Sequence, residues 1–278
     1  TISNITSSVN VSGLASKMGG IAGEFNGAHA TGVSNSGSVT SNTGMLGGLF
    51  GAVYCGSTVI DSSMSGDVSG NGNYAGGITG EDGCEGPGGT YTNVHSTGLV
   101  VSDGNYVGGI VGYGVVTTIT QAYSTGYIEG IDQVGGIAGN LLYSSLISKA
   151  YSTGEINGYG ERVGGIIGNL GDSSSVSQSY STSNVTTHGN YAGGLVGFLD
   201  GGSVSNSYAR GAVHGNVVGG LVGRAFSGTI DRAYSTGMVD TENEDHGGLV
   251  GITDISGDNG LFWDTETSIG TSVFGHGK

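Results

Sequence analysis

Few residues in this chain have the types and spacing that chemistry needs. Two cysteines are present, Cys55 and Cys84, each seven residues after the second glycine of a Gly-Gly pair, Gly48 and Gly77. If those pairs are equivalent places in neighbouring repeats, the two Cα atoms stack about 5 Å apart, within reach of a disulfide. The alternative is two buried thiols. A disulfide fits an oxidising, extracellular setting. A metal pair does not fit, because no further Cys or His sits beside them.

The titratable residues assemble nothing stronger. His29 and His95 fall two repeats apart, roughly 10 Å, too far to share a metal. The run "ENEDH" at 242–246 reads as a solvated acidic loop before it reads as a cation site. Asp132 and Glu161 each precede a glycine pair by three residues and are expected to stack in a turn facing water, with Asp103 nearby in its own repeat. Arg210 and Arg232 occupy different columns and no acidic cluster faces them, so the carboxylate arrangement of a polysaccharide lyase or hydrolase is missing. The sequence predicts no catalytic residue, no metal and no cofactor. Asn4 ("NIT"), Asn10 ("NVS") and Asn184 ("NVT") are glycosylation sequons if the host modifies asparagine.

Composition narrows the partners. Lys and Arg total 7 against 22 acids, a net charge of −15 over 278 residues. Nucleic acid and anionic membrane surfaces both need basic patches, so neither is expected as a partner. No run of about 18 apolar residues occurs, and membrane insertion is not expected. There are 61 glycines and one proline, Pro87, without the Gly-X-Y period of collagen.

The elements that position these residues are written as a repeat. Gly-Gly, then Ile or Leu, any residue, and Gly recurs nine times, from "GGIAG" at 19–23 to "GGLVG" at 247–251, in steps of 26 to 32 residues. Val, Ile, Thr and Tyr alternate with small polar residues, and no segment carries a helical period. This predicts an all-β protein: a β-solenoid (β-helix) of about nine coils, roughly 28 residues and three short strands per coil, with glycine-rich corners. The repeats fill 1–256, and 257–278 breaks the period as a capping or linker segment, with Leu261, Phe262 and Trp263 as its plug. No such plug precedes the first coil, an expectation of more chain upstream or of end-to-end assembly. Nine coils make a rod of roughly 43 Å.

Three apolar columns are expected to fill the core. The first runs Phe25, Val59, Tyr91, Ile119, Ile147, Val176, Val204 and Ile230. The second runs Val68, Val100, Ile128, Ile156, Val185, Val213 and Val239. The third is the Ile or Leu of each glycine motif, from Ile21 to Leu249. One coil cannot bury its apolar face alone, but a stack can.

A second motif, "AYSTG", stands at 122–126, 150–154 and 233–237, with looser copies at 179–183 and 207–211. With Ile128 inside, alternation turns Ala122 and Ser124 inward and Tyr123 and Thr125 outward, unless a bulge reverses the tyrosine. The tyrosine column reads Asn10, His29, Ser63, His95, Tyr123, Tyr151, Tyr180, Tyr208 and Tyr234. The threonine column reads Thr31, Ser65, Thr97, Thr125, Thr153, Thr182, Arg210 and Thr236. Such ladders stabilise stacked β-structure. They also offer a flat candidate face for a repetitive ligand: a glycan, an ice or other crystal surface, or another rod.

The two motifs together, as in "AYSTGYIEGIDQVGGIAG" at 122–139 and "AYSTGEINGYGERVGGIIG" at 150–168, resemble the GLUG-motif repeat of bacterial and archaeal surface proteins. The tail "LFWDTETS" at 261–268 looks like the tryptophan segment that often closes such arrays. That family includes large secreted adhesin-like proteins and regions of some immunoglobulin-A peptidases. The resemblance implies a secreted or surface-attached solenoid and carries no catalytic residue across. The expected function is an extracellular structural or adhesive segment, at the cell surface or secreted. Its expected partners are other copies of itself, end to end or laterally, or a cell-surface glycan or protein. The alternative is a glycan- or ice-binding module.

Overall fold

A computed structural model describes residues 1–84, 86–241, 246–255, 259–266 and 276–277. Among them every regular element is a β-strand, and neighbouring coils pair in parallel. The chain is a β-solenoid of about nine turns.

One coil shows the plan. It contains Ala138–Leu142, Leu146–Ser148, Tyr151–Ser152, Ile156–Gly158 and Arg162–Gly164. Each pairs with its counterpart one coil on, as in Ile147↔Val176, Tyr151↔Tyr180, Ile156↔Val185 and Val163↔Ala192. These strands gather into one 23-stranded and two nine-stranded sheets among the described residues.

From Phe50 to Gly193 each coil divides into five strands, whereas the two coils that follow keep the expected three, because Val196–Ala209 and Val222–Ser235 each run as one strand. Two corners break what reads in the sequence as one strand. At the first, Tyr143 and Ser144 take φ of 56° and 62°; at the second, Lys149 takes 54°. The second corner recurs at Gln121, Gln178, Asn206 and Arg232 with φ of 55°, 51°, 50° and 46°. Side chains seldom adopt this region, and no glycine marks the spot. Stacking holds it: the Lys149 N–H donates to Ser177 O at 3.2 Å, and that of Gln121 to Ser148 O at 3.1 Å.

Ile119, Ile147, Val176 and Val204 are fully buried, as are Ile156, Val185, Ile137 and Ile166, and all lie in the columns the sequence predicted. Two further columns complete the core: Val107, Val134 and Val163, and Leu141, Leu170 and Leu199.

The first coil corrects the predicted register. Phe25 pairs with Val53, and Ala30 sits beside Val59 in its place. The tyrosine column begins Thr6, Ser34, Ser63, not Asn10 and His29. His29 lies opposite Thr58, its Nδ1 2.9 Å from Thr58 Oγ1. Thr31 pairs with Ile60 and leaves the threonine column, where Ser65 is joined to the coil below by Asn35 O at 3.0 Å. The reason is steric. The stacked glycine of "AYSTG" continues at Gly66 and then Gly37: a Cβ on Gly66 would lie 2.2 Å from Gly37 O. Gly32 of "AHATG", the apparent match, instead takes the left-handed corner at φ 65°.

Of the expected cap, 257–278, only 259–266 and 276–277 are described. Asn259–Trp263 continues the stack on Asp231, Ala233, Tyr234 and Ser235. Leu261 is fully buried, and the Trp263 indole lies where a Gly248 Cβ would point, 2.0 Å from its Cδ1.

Candidate binding face: the tyrosine ladder

Alternation places the ladder outward. Ala122, Ser124 and Ile128 are 1% exposed, while Tyr123 is half-buried and Thr125 exposed. His95, Tyr123, Tyr151, Tyr180, Tyr208 and Tyr234 form one stack. Centroid distances run 4.6, 5.0, 5.1, 5.1 and 5.0 Å, with planes within 7° of parallel. Each inner ring therefore has both faces covered by its neighbours. A ligand meets ring edges and a row of hydroxyls, not open aromatic faces. Thr153 and Thr182 are exposed beside this row, and Thr236 is half-buried. Arg210 interrupts the threonines. Its guanidinium lies 4.8 Å from the Tyr208 centroid and donates to the Tyr234 hydroxyl at 3.1 Å. Burial among neighbours pushes the Tyr151 and Tyr208 hydroxyls up and the His95 ring down.

In two coils the inward serine ties the two motifs together. Ser152 Oγ donates to Gly165 O, and Ser235 Oγ to Gly248 O. Each bond crosses the rod from "AYSTG" to the second glycine of the following motif. A Cβ on Gly165 would lie 2.0 Å from Gly194 O and 2.3 Å from Ser181 Oγ, so the solenoid is too thin here for any side chain. Asn35 does the serine's work near the start, its Nδ2 donating to Gly48 O at 3.1 Å. The sequence carried a signal for this contact in the 13-residue separation of Ser152 from Gly165 and of Ser235 from Gly248; Ser124 stands 12 residues before Gly136, and its hydroxyl has no partner.

Cys55 and Cys84 lie in adjacent coils as free thiols, one exposed and one half-buried. A hydrogen bond between them raises Cys55 above the ordinary thiol value and lowers Cys84 below it. Cys84 Sγ also accepts the Gly86 N–H at 3.2 Å. The sequon residues Asn4, Asn10 and Asn184 are exposed, and Asn10 and Asn184 each accept a backbone N–H from the next coil. Asp132 Oδ1 accepts the Glu161 N–H at 2.9 Å, which joins the two in the stack the sequence predicted. Of "ENEDH", residues 242–245 lie outside the described residues.

Sequence reasoning missed Asp82. It stands between Val53 and Gly114 in a core column and is fully buried. Its carboxylate accepts the Gly89 N–H at 2.8 and 2.9 Å and the Thr117 hydroxyl at 2.6 Å. Burial pushes it up to about 7 against both hydrogen bonds. It anchors the far end of the loop that lengthens this repeat. Among the described residues no three His, Cys, Asp or Glu are placed to hold a metal ion.

No curated protein matches this sequence. Among solved structures, a Bacteroides ovatus protein provisionally named an immunoglobulin A1 protease is similar over 95% of this chain and 78% of its own, at 18% identity and a TM-score of 0.46. Residues 188–213, which include Tyr208 of the ladder and the pair Gly193 and Gly194, match the family model described as the GLUG motif.

Proposed function

We propose that this chain is an extracellular structural and adhesive segment, a stiff rod that holds attached elements away from a surface or builds a surface layer or fibre. The observation that carries the reading is the tyrosine stack, in which both faces of each inner ring are occupied by the next coil's ring. The ladder's aromatic surface is spent on the rod itself, as a stiffening element uses it. The acidic surface and the adjacent cysteine pair support a secreted setting.

The exposed hydroxyls of Thr125, Thr153 and Thr182 beside the tyrosines favour a second reading, a glycan- or ice-binding face. Replacing Tyr151 and Tyr180 by Ser separates the two. The structural reading expects lower stability and unchanged retention on glycan arrays and ice. Lost retention with the fold intact would establish the binding module instead. Negative-stain microscopy of the purified chain then distinguishes separate rods from fibres.

A further inference from the structure

We propose that a second face, the seam between Arg162–Gly164-type and Ala138–Leu142-type strands, binds a carboxylate-bearing polysaccharide laid along the rod. The last glycine of each glycine motif brings these two strands into backbone contact. A Cβ on Gly139 would lie 2.7 Å from Gln133 O and 2.7 Å from Val107 N. Side chains flanking that contact must spread outward, and residues seven apart meet: Arg162 with Asn169, and Tyr191 with Phe198.

These residues make one connected surface. Asn169 Nδ2 donates to Asn140 Oδ1 at 3.0 Å, and Arg162 Nη1 to Asn169 Oδ1 at 3.4 Å. The Arg162 and Arg224 guanidiniums both lie over Phe198, 4.7 and 6.0 Å from its centroid. Arg224 also donates to the Tyr191 hydroxyl at 3.0 Å. Gln133, Asn140 and Asn169 are 5–6% exposed, so packing fixes the strip before any ligand arrives. Gln133 Oε1 has no hydrogen-bond partner.

Charge selects the ligand. The chain has only 7 Lys and Arg, and two of them bracket this one aromatic ring. Arg224 is shared with Asp254 at 3.4 Å. Arg162 has no ion-pair partner among the described residues; its nearest polar contact is an amide. A guanidinium with no carboxylate partner, seated on an aromatic ring and steadied by an amide, is the chemistry that takes a carboxylate on a sugar: the fork holds the carboxylate, and Phe198 and Asn169 hold the fork in place. The coil spacing of about 4.8 Å is roughly one sugar unit of an extended chain, so successive coils meet successive units.

Titration calorimetry of the whole chain with oligogalacturonate at low salt tests this. We expect binding that R162Q weakens about tenfold, the loss of one charge-assisted contact, that added salt weakens, and that R232Q, the same charge change off the seam, leaves unchanged. F198L, which keeps the charge and removes the ring, should weaken it also; thermal melting followed by circular dichroism confirms that each variant folds. The proposal is overturned if oligogalacturonate does not bind, if R162Q and F198L bind as the parent does, or if neutral cello-oligosaccharide binds equally well. Self-association abolished by R162Q without sugar binding would overturn it in favour of pairing with a second copy. A rod that stays intact while sugar binding fails leaves the structural reading standing.

Discussion

Ser152 and Gly165 touch through the thickness of the rod, the serine hydroxyl donating to the glycine carbonyl. The contact makes "AYSTG" and the glycine motif two halves of one cross-brace. It predicts a steep cost for any side chain at the glycine. In G165A the new Cβ would fall 2.0 Å from a backbone oxygen, which cannot yield as a flexible side chain can. A loss of about 3 kcal/mol is expected in urea unfolding. G27A is the control. Nothing lies within 4 Å of its Cβ, so only the left-handed φ of 55° is strained, at about 1 kcal/mol. Equal losses at the two glycines would refute the cross-brace.

Tyr180 is stacked on both sides at 5.1 Å. Each such pair contributes about 0.5–1.5 kcal/mol beyond its burial, so Y180S should cost about 1–3 kcal/mol and weaken the near-ultraviolet circular dichroism of the ladder. Y143S is the comparison, because Tyr143 is 57% exposed and outside the stack; it should cost little. If the two variants melt together, the ladder adds nothing to stability.

The solenoid was legible because glycine spacing and apolar alternation report the same thing in every coil. The second corner was not, because Gln121, Lys149 and Arg232 hold φ of 55°, 54° and 46° by stacking and not by residue type. The start of the ladder was misread at Gly32, since "HATG" imitates "YSTG" and only the backbone contact beneath Gly66 selects Gly37. Asp82 carried no signal in the sequence. Its burial depends on Gly114 above it leaving room and on Thr117, 35 residues later, supplying a hydroxyl.

Asp82 makes stability depend on pH. Its folded value of about 7 lies above the ordinary 3.8, so the folded chain binds the proton more tightly. The stabilisation is fully present below about 4 and is lost as pH rises through about 7. Across that window it amounts to about 4 kcal/mol. Glu81 adds to the upward push, and Thr117 and Gly89 oppose it. His95 acts with the opposite sign: burial lowers it, so its contribution is present above its ordinary 6.5 and lost as pH falls. Urea midpoints between pH 4 and pH 8 should therefore fall with rising pH more steeply in the parent than in D82N. Parallel profiles would mean that Asp82 does not titrate in this range.

The cysteines should oxidise to a disulfide in air. They lie in adjacent coils, close enough that each thiol shifts the other's titration. The Gly86 N–H at 3.2 Å from Cys84 Sγ favours the thiolate there, so Cys84 is the sulfur that oxygen, the two-electron oxidant, converts first to a sulfenic acid; the Cys55 sulfur then attacks it, the S–S bond forms and water leaves. Closing a loop of this length should stabilise the chain by about 3 kcal/mol. Pro87 O accepts the Gly56 N–H at 2.7 Å, so the loop is already docked and the bond needs little rearrangement. Thiol titration under denaturing conditions should find none before reduction and two after it, and non-reducing peptide mapping should join the Cys55 and Cys84 peptides. C84S should melt with the reduced parent and below the oxidised one. Two titratable thiols in protein exposed to air would show that the pair stays reduced.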